Sequence, residues 1–227
     1  MQLFYQTPSP NLNHSKSYFT DLGFTILPYG ESIIAYDSQF KLLIDPKPTT
    51  RPGLCLIKEN WEAERIALEK LTKVLSKEDS IYFADPSGTW VELKNGSPVD
   101  IPKTDSKCLL GNFAGLSLEL IDIELATKIW TALGFEHKMG SIEKGWMSFG
   151  DQFENNISMM VPFACPHLFL NPSLTFFNGA DNPKIIKTIR ERSIPILEEI
   201  TAFNKEGIVD NIILSEPGGY GFFIFND

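Results

Sequence analysis

Cysteine and histidine are scarce, at three each in 227 residues. Cys55, Cys108 and Cys165 lie far apart, are odd in number and form no C-x-x-C pair. A disulfide framework and a thiolate zinc site are therefore not expected, and reduced thiols in a cytoplasmic protein are. Basic residues are also in deficit, with 20 Lys and Arg against 29 Asp and Glu and a formal charge of −9. Such a chain repels phosphate backbones, and no basic stripe with interleaved aromatics offsets the repulsion, so nucleic acid is not an expected partner. No apolar run approaches the ~18–20 residues that span a bilayer, and Met1–Pro8 has neither the basic region nor the apolar stretch of a secretory signal. Apolar residues are plentiful at 43 %, including 17 Phe, and no charge block interrupts them. That content supports a large core and excludes disorder over most of the length.

The stretch Asn95–Lys107 (NGSPVDIPKTDSK) is rich in Gly, Pro, Ser, Asp and Lys and divides the chain into nearly equal halves. A linker is read over 96–110, between a first domain over 1–95 and a second over 111–227. The halves repeat one another. Asn11–Phe24 (NLNHSKSYFTDLGF) is echoed by Asp122–Phe135 (DIELATKIWTALGF). Each opens on an N-cap residue, spaces apolar residues as a helix does, and closes with Gly past the last turn. A strand precedes each helix (Leu3–Thr7, Phe113–Leu120) and hairpin-like runs follow it. Shorter versions come next: Leu54–Ile57 with a helix over Trp61–Leu75, and Leu174–Phe177 with a helix over Asn182–Arg192 and strands near Ile196–Phe203 and Ile208–Ser215. Four βαβββ modules, two per half, predict an α+β fold of two curved mixed sheets with helices outside.

This plan resembles the vicinal oxygen chelate superfamily, which contains glyoxalase I, the extradiol dioxygenases and the bleomycin-resistance proteins. The matching residues are the two helix exits, Leu22-Gly23-Phe24 and Leu133-Gly134-Phe135, and the segment Asp85-Pro86-Ser87-Gly88-Thr89-Trp90-Val91-Glu92-Leu93, which looks like the family's D-P-x-G-x-x-x-E-L ending. Glu216-Pro217-Gly218-Gly219-Tyr220 is a worn copy of that ending, and its glycines are read as a turn rather than a phosphate loop. The resemblance implies a ligand-binding cup on the inner face of each sheet. It also implies that metal-dependent members would hold a divalent ion with His, Gln or Glu on the first strand of each module and Glu on the last. Those positions here hold Phe4, Gly53–Ile57, Gly115 and Ser173–Thr175 on first strands, and Glu92 and Phe223 on last strands. A catalytic ion needs about three protein ligands, so no metal and no other cofactor is expected. His14 is read as a solvated helix residue, His137 as an edge-strand residue, and His167, beside Cys165, as part of a connection between modules.

Inward positions alternate along strands, which puts Phe4 with Gln6, Trp90 with Glu92, and Ser117 with Glu119. With Trp146 and Phe223 these residues form the expected ligand-binding set. Glu92 is the best candidate for a catalytic role, because a carboxylate in an apolar cavity has its pKa raised and can act as a general base. The alternative is a carboxylate paired with a basic residue or turned to water. The reading of the whole is a metal-free protein that binds or sequesters a small hydrophobic or aromatic molecule, with no membrane partner, as a monomer or homodimer. Two alternatives stand beside it: a lyase, isomerase or dioxygenase with a variant site around Glu92, and a non-catalytic interaction domain whose cup is filled by its own side chains.

Overall fold

The first strand shows how the sequence builds two surfaces at once. In β1 (Gln2–Pro8) Leu3 and Tyr5 enter the principal apolar core, while Phe4 joins a separate cluster on the opposite face. The helix that follows, α1 (Leu12–Asp21), is capped by Asn11, whose side chain accepts from the His14 backbone N–H at 3.1 Å. It ends at Gly23, in the left-handed region at φ +87°, with Phe24 N–H bonded back to the Phe19 carbonyl at 3.0 Å. In the second half α3 (Ile123–Ala132) repeats this: Asp122 accepts from Leu125 N–H at 2.9 Å, Gly134 has φ +89°, and Phe135 N–H reaches the Trp130 carbonyl at 3.0 Å. The sequence repeat is thus a repeat of capping physics.

The computed structural model describes residues 1–226. After α1 come β2 (Thr25–Tyr29), β3 (Ser32–Tyr36) and β4 (Lys41–Asp45), then β5 (Gly53–Lys58), α2 (Glu62–Leu68), β6 (Leu75–Lys77), β7 (Ser80–Ala84) and β8 (Trp90–Asn95). The second half supplies β9 (Phe113–Glu119), α3, β10 (Glu136–Ser141), β11 (Trp146–Gly150), β12 (Asn156–Met160), β13 (Ser173–Phe177), α4 (Asn182–Glu191), β14 (Glu198–Ile200), β15 (Asn211–Ser215) and β16 (Gly221–Phe225). Among the described residues these form two eight-stranded mixed sheets with equivalent orders, β2-β3-β4-β1-β5-β8-β7-β6 and β10-β11-β12-β9-β13-β16-β15-β14. In each sheet the first strands of two βαβββ modules meet antiparallel, β1 with β5 and β9 with β13, joining the modules edge to edge. A single module exposes too much of its sheet to stand alone. The expected α+β class and four-module plan hold.

Several boundaries differ from the sequence reading, among them β15, which starts at Asn211 rather than Ile208. Helix α2 stops at Leu68 rather than Leu75, because Leu71 and Thr72 N–H groups both turn back to the Leu68 carbonyl and Leu75–Lys77 pairs as the outer strand β6. In the fourth module β14 covers only Glu198–Ile200, since the Asn204 side chain closes a turn by accepting from Glu206 and Ile208 N–H.

The helix-bearing faces of both sheets feed one continuous core. Phe40 stacks on Phe113 at 4.5 Å, and Phe19 approaches Phe222 at 6.3 Å across the halves. Matching turns lock the junction. In Asp85–Thr89 and Glu216–Tyr220 alike, the first N–H reaches the fifth carbonyl at 3.0 Å. Each turn folds its acidic side chain inward onto its own N–H groups. The Glu216 carboxylate also accepts from Thr7 Oγ1 at 2.7 Å, and the Tyr220 hydroxyl donates to the Gly53 carbonyl.

The segment between the sheets is a strap as well as a connection. Val99 and Ile101 pack on Phe4, Ile34, Tyr36, Leu43, Cys55 and Ile57, and the Gln2 side chain bonds both Val99 N–H (2.7 Å) and Val99 carbonyl (3.0 Å). Truncating both residues, Val99→Ala with Ile101→Ala, is expected to cost about 2 kcal/mol in urea unfolding, since each is partly buried against that cluster. An unchanged midpoint would show that the strap is not part of the fold's stability.

Candidate functional site

The strap fills only part of the helix-free face of the first sheet. Beyond it, between the β1-β5-β8-β7-β6 strands and the 47–52 loop, lies a cavity of about 730 Å³. Two rows of register-matched residues run across this face of the sheet, and Gln6, Trp90, Ala84, Glu92 and Tyr82 of them line the cavity. Gln6, Gly53, Trp90 and Ala84 form one row, and Phe4, Cys55, Glu92 and Tyr82 the next. Gly53 brings no side chain, which leaves Gln6 and Trp90 facing each other over a notch. It also has no room for one: a Cβ there would lie 2.7 Å from the Trp90 carbonyl carbon.

The walls combine aromatic surface with hydrogen-bonding groups. Trp90 and Tyr82 stack, with centroids 5.9 Å apart and planes at 29°. Glu92 Oε1 accepts from Ser80 Oγ at 2.7 Å and from the Tyr82 hydroxyl at 3.1 Å. Burial, and then the adjacent Glu92 charge, raise the Tyr82 pKa, with Ser80 opposing them. Gln6 is 2 % exposed, and its side-chain oxygen has no hydrogen-bond partner among the described residues. The lining also includes the exposed Lys47, Arg51 and Lys77, the buried Asp45 and, from the second half, Asn171-Pro172. Asn171 is anchored by donating to the carbonyls of Ser87 (3.2 Å) and Glu119 (2.8 Å).

The structure places the other expected residues elsewhere. Phe4, 1 % exposed, sits under the strap beside the cavity. Ser117 and Thr175 share a hydrogen bond of 2.7 Å inside the second sheet. Glu119 accepts from the Phe163 N–H, and Trp146 is 39 % exposed on β11. Phe223 is buried beneath residues 167–170: Phe169 packs on it at 5.0 Å and His167 at 5.2 Å. Gln6, Trp90 and Glu92 are therefore brought together, while the four residues of the second half belong to a sheet whose β14-β15-β16 side is covered by its own chain. His14 and His137 are exposed. Tyr82 was absent from the sequence-derived set although its signal was available, because counting back across the Asp85–Gly88 turn pairs Glu92 with Tyr82. The rim cations Lys47 and Arg51 lie on a loop with no periodicity to betray them.

The metal-ligand positions that the fold implies can be tested directly. In the first sheet they fall in one row as Phe4, Cys55 and Glu92; in the second, as Gly115, Thr175 and Phe223. Only Glu92 is an ordinary ligand for a hard divalent ion, and Cys55 is 2 % exposed with its thiol pKa pushed up by burial. Among the described residues no group of three or more His, Cys, Asp or Glu could hold an ion. This donor set does not fit the divalent ion that the sequence resemblance implies.

The fold is shared with solved extradiol dioxygenases. Homoprotocatechuate 2,3-dioxygenase from Arthrobacter globiformis superimposes with a TM-score of 0.62 at 9 % identity, covering 97 % of this chain and 78 % of that one. LapB, a 2,3-dioxygenase from Pseudomonas sp. KL28, gives 0.59 at 12 % identity, with 97 % and 90 % covered. The 2,2',3-trihydroxybiphenyl 1,2-dioxygenase of dibenzofuran-degrading Sphingomonas wittichii gives 0.56 at 15 % identity, with 99 % and 91 % covered. No family model and no curated protein sequence matches the chain. At these identities the likeness establishes the architecture; activity is a matter for the site.

Proposed function

With the vicinal oxygen chelate fold as the starting point, we propose that this chain is a small-molecule binding protein that works without a metal. It takes a planar, largely apolar molecule into the cavity of its first sheet. The observation that carries this reading is the stacked Trp90–Tyr82 pair lining a cavity of about 730 Å³. That volume lies within the ~300–1,000 Å³ typical of small-molecule sites, and stacking on an indole face is a sequence-independent way to hold a flat ring. Gln6 and Glu92 supply acceptors that orient the guest. Because the ligand-row positions hold Phe4, Cys55 and Glu92, binding is assigned to side chains rather than to coordination. The three free thiols support a cytoplasmic location.

Thermal shift with a panel of fused-ring aromatic compounds tests the proposal. A compound that binds only the folded protein and is present at a hundred times its Kd adds about 2.7 kcal/mol, which raises the Tm of a chain this size by about 5–10 °C. Trp90→Ala is expected to abolish the shift. Phe177→Ala, an exposed position on β13 in the other sheet, is expected to keep it. Shifts that survive Trp90→Ala would place the guest outside the cavity and overturn the reading.

A further inference from the structure

Resting on that reading, the structure assigns a charge to the guest: we propose that the cavity receives an anion, a planar aromatic molecule carrying a carboxylate whose negative end lies at the rim. The carboxylates and cations of this cavity stand in different states. Glu92 is supplied by Ser80 and Tyr82, and Asp45 Oδ1 accepts from the Lys47 backbone N–H at 3.0 Å. The three rim cations have no such supply. Among the described residues Lys47, Arg51 and Lys77 take part in none of the ion pairs, all of which lie elsewhere on the chain. Asp45 and Glu92 are likewise in none of those ion pairs, so the cavity carries an excess of one positive charge, with its exposed cations still free to donate, on a protein whose formal charge is −9.

Arg51 is held in place for this task. One terminal nitrogen, Nη1, donates to the carbonyls of Pro48 (3.0 Å) and Thr50 (2.8 Å), which fixes the guanidinium on its own loop and leaves Nε and Nη2 for a guest. A guanidinium so anchored offers a planar fork suited to a carboxylate, and less rotamer freedom is lost when the pair forms. The loop is itself tied down, with Ser9 N–H on the Asp45 carbonyl at 2.9 Å and Thr50 N–H on the Lys47 carbonyl at 3.1 Å. At depth the unpartnered Gln6 oxygen, buried to 2 %, asks for a donor on the opposite edge of the ring. A flat body, a carboxylate at the rim and a donor at the far edge describe the best occupant; the probes below test the carboxylate.

Isothermal titration with three probes that share one naphthalene body decides the matter: 2-naphthoate, neutral 2-naphthamide and cationic 2-naphthylmethylammonium. The acid is expected to bind at least tenfold more tightly than the amide, and the ammonium most weakly. Arg51→Gln is expected to bring acid and amide within about threefold of each other, and raising ionic strength should narrow the wild-type gap because Lys47, Arg51 and Lys77 are exposed. If amide or ammonium binds as well as the acid, and Trp90→Ala removes that binding, the anionic assignment fails while the cavity reading stands. If none of the three binds, or binding ignores Trp90→Ala, the cavity reading falls and the assignment with it. A persistent acid preference with Lys47, Arg51 and Lys77 all replaced by Gln would also overturn the assignment.

Discussion

Replacing Gly53 by alanine is expected to lower the stability of the protein by about 4 kcal/mol, seen as a Tm loss of about 8–16 °C. The reason is local and backbone-on-backbone. An added Cβ would lie 2.7 Å from the Trp90 carbonyl carbon and closer still to its oxygen, so no side-chain rotation relieves it. The strands cannot separate freely, because β5 lies between β1 and β8 and the Gly53 carbonyl receives the Tyr220 hydroxyl from the other half. The same change displaces Trp90 from its place across the cavity, so binding of a planar probe is expected to weaken along with stability. Gly96→Ala serves as the control. A Cβ there meets only Ile57 Cγ2, at 3.9 Å, and unfolding should shift by no more than about 0.5 kcal/mol. A Gly53→Ala protein that melts with the wild type would remove the close approach of β5 and β8 from the account of the site.

The second large effect is a dependence of stability on pH. Burial at the junction raises the Glu216 pKa from 4.5 to about 7, outweighing the lowering contributions of Thr7 and of the Gly218, Tyr220 and Gly219 N–H groups. The folded protein therefore binds a proton that the unfolded chain has already released between those two values. Stability from this group is fully present below pH 4.5 and is lost as pH rises toward 7. A rise from 4.5 to about 7 amounts to about 3 kcal/mol. Urea unfolding followed from pH 4.5 to 7.5 should show that loss in the wild type. Glu216→Gln, which mimics the neutral acid, should be flatter over the window by the same amount. Asp85, whose pKa burial also raises, adds a slope of the same sign in both proteins and cancels in the difference. Parallel profiles for the two proteins would mean that Glu216 is ionised in the fold throughout.

The repeated helix ends and the D-P-x-G turn carried much of the architecture in plain view. Asn11, Asp122, Gly23 and Gly134 act through bonds to neighbours within five residues, so their meaning survives in the linear chain. The same locality made Trp90 and Glu92 readable as one face of a strand, and made Tyr82 deducible from the hairpin that precedes them. The helical spacing of Trp61–Leu75 extends beyond the true end of α2, because nothing in Glu69–Leu75 announces that its end must pair with Tyr82 as an edge strand. Val99 and Ile101 gave no periodic signal, yet they close one side of the first sheet's inner face. Phe169, Leu170 and His167 do the same for the second sheet.

The amino-acid sequence alone determined the four modules, their pairing into halves, and the absence of imidazole from Phe4, Gly53–Ile57, Gly115 and Ser173–Thr175. Each of those depends on residue type, short-range capping or the two-residue period of a strand. Only the tertiary structure decided which inner face stays open and which side chains gather there. That choice rests on contacts between segments distant in sequence: a strap laid over Phe4, a loop that carries Arg51 to the rim, and a turn from the other half that fixes Gly53. Such contacts follow from how much surface each segment can bury once the sheets have formed, and no local pattern encodes that quantity.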